Sequence, residues 1–287
     1  MTRPGYGEPH VDLGELEAPR LVRRLGRLLR YLRRYATKTW ALVVMEAQKL
    51  RHDPTELLTR MVQPALWLVV FGEVFTRANM INTGPYPYVD YITPGILSQS
   101  VLFVAIFYGI AAIWERDLGI LHKFMATPTP RTALVLGKAL SAGLRGLSQV
   151  VVILLLAMLL GVQLTWTPLA LGGILAVVIL GACLFATLSL VIASLVKTRE
   201  RFMGIGQLLT MPLFFASNAI YPLSLMPPAL QAVAAWNPMT YMVDAARTLM
   251  LPGYPSVFGL GLDFAVLVGC VAGLVLVGGR CYEGLVR

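Results

Sequence analysis

Charge is scarce in this chain. Asp, Glu, Lys and Arg make up only 14% of its 287 residues, while hydrophobic residues reach 57% and mean hydropathy is +0.70. A soluble enzyme of this length could not hide so much apolar surface from water, and a disordered chain would be far more polar. Histidine and cysteine are sparse too, three of each. His10, His52 and His122 stand apart, which excludes a metal-ligand cluster. Cys183, Cys270 and Cys281 fit neither zinc spacing nor a redox CxxC, and read as small apolar side chains. A G-x-x-x-x-G-K-[ST] phosphate loop is missing: Gly137-Lys138 is followed by Ala139, with no glycine upstream at the right spacing. No Ser–His–Asp or Cys–His set stands out, so no catalytic residue, metal ligand or cofactor is expected. A secretory signal peptide is not expected either. The first long apolar run begins near residue 61 after a charged segment, and is expected to act as an uncleaved anchor.

What the chain has is apolar runs of membrane-crossing length. Six segments, at about 60–78, 92–113, 142–163, 169–195, 203–222 and 259–279, approach the ~20 residues a helix needs to cross a bilayer. The third and fourth are the most continuous. Gln63, Pro64 and Glu73 interrupt the first; Pro212, Asn218 and Pro222 interrupt the fifth. The runs are continuous rather than alternating, which argues against strands. The basic residues give the orientation. Twenty of the 24 Lys and Arg fall in 1–58, 114–140, 196–202 and the C-terminal end, whereas 79–91, 164–168 and 223–258 carry only Arg247. Positive residues mark the cytoplasmic side, so both termini are expected there, in the cell membrane. The reading is thus an all-α integral membrane protein: a tail at 1–19, an interfacial region at 20–58, and a six-span domain at 59–287.

Residues 20–36 read RLVRRLGRLLRYLRRYA. At 100° per residue the leucines gather on one face. Arg20, Arg23, Arg24, Arg27, Arg30 and Arg34 gather on the other, as in a helix lying in the lipid interface. It reads either as an anchor on anionic headgroups or as a docking surface for a cytoplasmic partner as well. Nucleic acid is not expected, because no reading module accompanies the basic face.

Between the second and third spans, an amphipathic helix is expected from Trp114 to Met125, stopped by Thr127-Pro128-Thr129-Pro130. It could push on a soluble partner or simply join two spans. Here Glu115-Arg116-Asp117-Leu118-Gly119, followed by Ala126-Thr127-Pro128 and Arg131, resembles a motif of the ABC-2 type permeases, E-R-E-x-G-T-L-E-x-L-x-x-T-P-x-x-R. Asp117 keeps the charge of the third position; His122 loses an acid. Asn237-Pro238-Met239-Thr240-Tyr241, leading to Asp244 and Arg247, resembles the family's N-P-x-T-Y-x-x-D-x-x-R stretch. The resemblance spans roughly 40–280 and is nearest in flavour to daunorubicin-resistance-like drug-export permeases. It implies a half-transporter. Two permease chains pair, forming a homodimer, and two copies of a separate ATP-binding-cassette subunit dock from the cytoplasm. Glu115, Arg116, Asp117 and Gly119 would lie on the coupling helix that meets the ATPase.

In span five, Gln207, Thr210, Phe214 and Asn218 fall on one helical face; in span two, Gln99, Phe103 and Ile106 do the same. Polar groups inside a span serve either helix–helix hydrogen bonds or a translocation cavity. In the resembling family these two spans face the dimer axis, which favours a path for a bulky amphipathic solute. The external segment 223–258 holds two short apolar stretches, Ala229–Ala235 and Met239–Met250, expected as a re-entrant hairpin. Asn237, Pro238, Asp244 and Arg247 would gate the outer end, and Asp244 and Arg247 are close enough in sequence to pair. Glu73 is expected to meet Arg77. The functions left open are export of drugs or other amphipathic compounds, export of a lipid-linked glycan or envelope lipid, and a membrane scaffold or sensor.

Overall fold

The computed structural model describes residues 62–78, 81–120, 130–196 and 198–282, preceded by residues 33, 35–41, 43, 44 and 48. Arg20, Arg23, Arg24, Arg27, Arg30 and Arg34 lie outside the described residues, as does 121–129. Among the described residues there is no strand. The first apolar segment is helical from residue 62. Its middle, Trp67–Gly72, is π-helical and runs into α1 (Glu73–Ala78). There follow α2 (Tyr88–Asp117), α3 (Arg131–Leu159), α4 (Pro168–Leu195) and α5 (Arg199–Phe215). A 3-10 turn at Leu223–Leu225 leads to the short α6 (Pro228–Trp236) and α7 (Pro238–Met250), and then to α8 (Leu260–Cys281).

The helix ends follow from local chemistry. Thr167 Oγ1 accepts the Ala170 amide ahead of α4, with Pro168 in the first turn, where its missing N–H costs nothing. Thr198 Oγ1 caps α5 through the Arg201 amide, and Asn237 Oδ1 caps α7 through the Met239 amide. Gly119 ends the run after α2 in the left-handed region, at φ 68°.

α2, α3, α4 and α8 are each long and apolar enough to cross a bilayer. α5 has only 17 residues. At 1.5 Å per residue it spans ~26 Å, short of the ~30 Å of hydrocarbon. Two boundaries differ from the sequence expectation for physical reasons. α3 begins at Arg131 rather than near 142, because Lys138 is neutralised inside the bundle and the helix need not wait for a fully apolar stretch. The fifth apolar segment stops at Phe215 rather than reaching Pro222. At that end the carbonyls of Leu213 and Ala216 accept from Asn237 Nδ2 and that of Phe214 from Ser217 Oγ, in place of the backbone amides that would continue the helix.

α4 lies at the centre, packed on α2, α3, α7 and α8. Its inner face, with Val177, Val178, Ala182, Phe185 and Ala186, meets Ile92, Leu97, Val101 and Ala105 of α2 within one buried cluster. A close backbone approach is made at Gly95 of α2: a Cβ there would lie 2.2 Å from the carbonyl oxygen of Ala219. Glycine is therefore what lets the chain after α5 press against α2.

Candidate functional site

At the end carrying the α2–α3 and α4–α5 connections, the last turn of α2 holds the acidic motif. Trp114–Asp117 are still α2, Leu118 caps it, and Gly119 turns the chain. The single helix expected from Trp114 to Met125 is therefore broken at Gly119. A left-handed residue cannot sit inside an α-helix. Glu115 is also not on the surface with its neighbours. It points into the bundle and forms an ion pair with Lys138 of α3; the two side chains are 9% and 4% exposed. The Tyr108 ring lies beneath Lys138 Nζ at 6.0 Å and the Arg145 guanidinium at 5.2 Å. Tyr282, just past α8, completes this buried group; burial first, and then the Glu115 carboxylate, push its hydroxyl well above the usual tyrosine range.

Asp117 stays toward water, with Arg116 partly buried beside it. Arg116 donates to Asp117 Oδ1 at 3.2 Å and to the Val196 carbonyl at 3.3 Å. Asp117 Oδ2 accepts from Arg199 Nη2 at 2.8 Å, and the Arg199 guanidinium stacks 3.6 Å above the Trp114 ring. The surface here is thus built by the end of α2 together with the start of α5.

Farther along α2, Gln99, Ser100, Phe103, Val104 and Phe107 line a cavity of about 270 Å³, closed opposite by Gln63 and Pro64 of the first apolar segment. The Phe103 and Phe107 rings lie 6.1 Å apart and 21° from parallel. Ile106 is not on this wall; it is fully buried in the core.

The expected polar face of the fifth segment does not form as one face. Thr210 and Phe214 are buried, with Phe202 and Gly206, on a stripe of i,i+4 spacing. Gln207, one residue off that stripe, is exposed. Asn218 lies beyond the helix end, buried with its side-chain amide unpartnered. Phe214 instead packs edge-on against Trp67 at 6.1 Å.

At the opposite end, Pro238 opens α7 and Asn237 joins α7 to α5. While its Oδ1 caps α7, its Nδ2 donates to the carbonyls of Leu213 (2.7 Å) and Ala216 (2.9 Å). Arg247 is fully buried. Its Nε donates to the Tyr91 carbonyl (3.1 Å), its Nη2 to the Asn218 carbonyl (2.8 Å), and its guanidinium lies 3.7 Å over the Tyr91 ring. The expected Asp244–Arg247 pair does not form. Asp244 turns the other way: its Oδ2 accepts from the Val257 and Phe258 amides and from Ser256 Oγ, which also lies 3.3 Å from Asp263 Oδ2. A buried arginine can be satisfied by carbonyls as well as by a carboxylate. Glu73 and Arg77 do meet, at 3.3 Å.

The sequence reading missed Lys138, Arg199 and Asp263. Asp263 was legible, since an acid within an apolar span signals a polar partner. Lys138 and Arg199 look like loop cations until the folded neighbours are known.

A family model described as ABC-2 type transporter matches residues 37–251. A putative transport permease, ycf38, of Cyanophora paradoxa is 29% identical over 70% of this chain and 70% of its own length. The daunorubicin resistance ABC transporter permease protein DrrB1 of Streptomyces coeruleorubidus is 27% identical over 77% of each chain. The inner membrane transport permease YadH of Escherichia coli is 23% identical over 67% of this chain and 73% of its own.

Proposed function

Because this chain belongs to the ABC-2 type transporter family, we propose that it is the membrane subunit of an ATP-binding-cassette exporter for hydrophobic or amphipathic compounds, driven by a separate ATPase. The observation that carries the substrate side is the cavity beside Phe103 and Phe107. It is mostly aromatic and aliphatic, with the Gln63 and Gln99 amides and the Ser100 hydroxyl as its polar points, the hydroxyl donating to the Ile96 carbonyl of its own helix. Such a lining accepts a bulky apolar body with a few hydrogen-bonding groups and offers no charge ring for a small ion. The name of the DrrB1 relative makes daunorubicin the first compound to test.

In this reading two copies of the chain pair and two ATPase subunits dock at the end bearing Arg116, Asp117 and Gly119, which is cytoplasmic. Both termini lie on that side. The first apolar segment and α5 complete six crossings, tilted or locally thinning the bilayer to make up their short length. α6 and α7 form the re-entrant outer hairpin, and Asn237, Pro238, Asp244 and Arg247 hold it shut in the resting state. Gln99 and Phe103 contact the solute, while Thr210, Phe214 and Asn218 shape the wall behind the cavity and Gln207 faces the second copy. Glu115 transmits rather than docks: paired with Lys138, it ties the coupling surface to α3. The basic face of 20–36 rests on anionic lipid. ATP-driven closure of the ATPases shifts the pair between inward and outward states.

The test is co-reconstitution with the adjacent ATP-binding subunit, measuring ATP hydrolysis and transport with and without daunorubicin. Drug-stimulated hydrolysis coupled to transport is expected. Drug-insensitive turnover would favour a lipid-linked glycan or envelope lipid as cargo, and no complex at all would leave the scaffold reading.

A further inference from the structure

We propose that Arg199 is a positioning residue that clasps the base of α5 to the end of α2, so that the two helices respond to nucleotide as one lever. This rests on the exporter reading above and adds a residue and a route to it.

Three contacts make the clasp. Arg199 Nη2 holds Asp117 Oδ2 at 2.8 Å, its guanidinium covers Trp114 at 3.6 Å, and Arg116 Nη1 reaches the Val196 carbonyl at 3.3 Å. Both oxygens of Asp117 are thus held by arginines, one from each side of the joint. Arg199 is also the first residue of α5, following the Thr198 cap. A cation is disfavoured at a helix N-terminus by the macrodipole. Helix formation alone therefore gives no reason for arginine here; the carboxylate and the indole do.

Just below the clasp the two helices are in close contact. A Cβ at Gly109 of α2 would lie 2.5 Å from Phe202 Cζ and 2.2 Å from Ser189 Oγ. One turn on, a Cβ at Gly206 of α5 would meet Ile106 at 3.4 Å. There is no slack in which α2 and α5 could slide past one another. A partly exposed ion pair by itself would contribute little. Here the pair is joined to a stacked ring, a tethered loop and a glycine-tight helix contact, so a displacement of the Arg116–Asp117 surface is delivered to the first turn of α5. From there the buried stripe Phe202, Gly206, Thr210 and Phe214 carries it along the core.

The experiment uses the full permease with its ATPase subunit, with Cys183, Cys270 and Cys281 replaced by alanine and spin labels introduced by Leu118→Cys and Met203→Cys. Both labelled positions are exposed and leave the clasp intact. Distances are compared between the nucleotide-free complex and the complex trapped with ATP and vanadate. The Leu118–Met203 distance within a chain is expected to stay constant. The Met203–Met203 distance between paired chains, read with Met203→Cys alone, is expected to change. In Arg199→Ala the inter-chain change is expected to fall by at least about twofold, as for loss of a coupling contact. Arg199→Lys, which keeps the charge but not the planar stack, is expected to retain part of it. An Arg199→Ala complex with the full wild-type change would overturn the proposal, as would a wild-type Leu118–Met203 distance that shifts on trapping. A wild-type complex with no nucleotide-driven change anywhere would instead sink the exporter reading, and this inference with it.

Discussion

Truncating Arg247 tests whether the opposite end of the molecule is held by one side chain. In Arg247→Ala, the two close hydrogen bonds of a buried guanidinium are lost, to the carbonyls of Tyr91 at 3.1 Å and Asn218 at 2.8 Å, which dominate the cost, and with them a longer one to the Ala219 carbonyl at 3.4 Å. Bonds from a charged donor are worth roughly 1.5–3 kcal/mol each, so the loss is about 3–6 kcal/mol. The low end is favoured, because the Asn218 carbonyl still accepts from the Tyr91 hydroxyl at 3.3 Å. Arg247→Lys keeps the charge but cannot reach both carbonyls from one plane, and is expected to cost about half as much. Arg247→Met fills the volume and removes a buried charge, so it falls between Lys and Ala. Thermal unfolding of the detergent-solubilised permease, followed by tryptophan fluorescence, reads the series directly. At about 2–4 °C per kcal/mol, the Ala variant should melt at least about 6 °C below wild type. If it melts within about 2 °C of wild type, the clamp contributes nothing and the reasoning is refuted.

Other consequences are as concrete. Gly95→Ala places a methyl 2.2 Å from the backbone carbonyl of Ala219, a neighbour that cannot rotate away, and should cost about 1–3 kcal/mol in the same melt. Glu115→Gln strands the buried Lys138 charge and should destabilise by about 3–5 kcal/mol, with the double change Glu115→Met/Lys138→Met recovering most of it; a double variant no better than the single would argue against simple charge stranding. Phe103→Trp crowds the 270 Å³ cavity and is expected to lower daunorubicin transport at unchanged assembly with the ATPase subunit; unchanged transport would move the solute path elsewhere. Thr198→Ala removes the α5 cap and should cost about 1 kcal/mol, with little effect on α4.

The helical fold and the placing of most apolar segments were legible because long apolar runs admit little else. The two short helices after Pro227 and Asn237 were legible for the same reason, since proline and asparagine punctuate the chain there. What the sequence hid was partnership. Glu115 and Lys138 look like loop charges when read along the chain; only helices α2 and α3 side by side show that they neutralise each other. Asp244 and Arg247 look like a pair because an isolated helix offers each no closer partner. Folding supplies loop amides for one and carbonyls of α2 and the α5 turn for the other. Asn218 was assigned to a helical face that ends three residues before it, because the periodicity of a helix cannot announce that its next carbonyls are already taken.

The side chain of Asn237 has a meaning beyond its two contacts. It must accept from Met239 and donate twice, to Leu213 and Ala216. Among small side chains an amide alone offers an acceptor and two donors in one rigid plane. Aspartate would cap α7 equally well, yet it would set its second oxygen against two carbonyls; serine or threonine would cap it but has a single proton to give. The position is therefore a vocabulary of one word. Any movement that frees α5 from α7 leaves the cap on Met239 in place but strands both Nδ2 hydrogens and the two carbonyls they held, so one side chain both starts a helix and sets the cost of parting it from its neighbour.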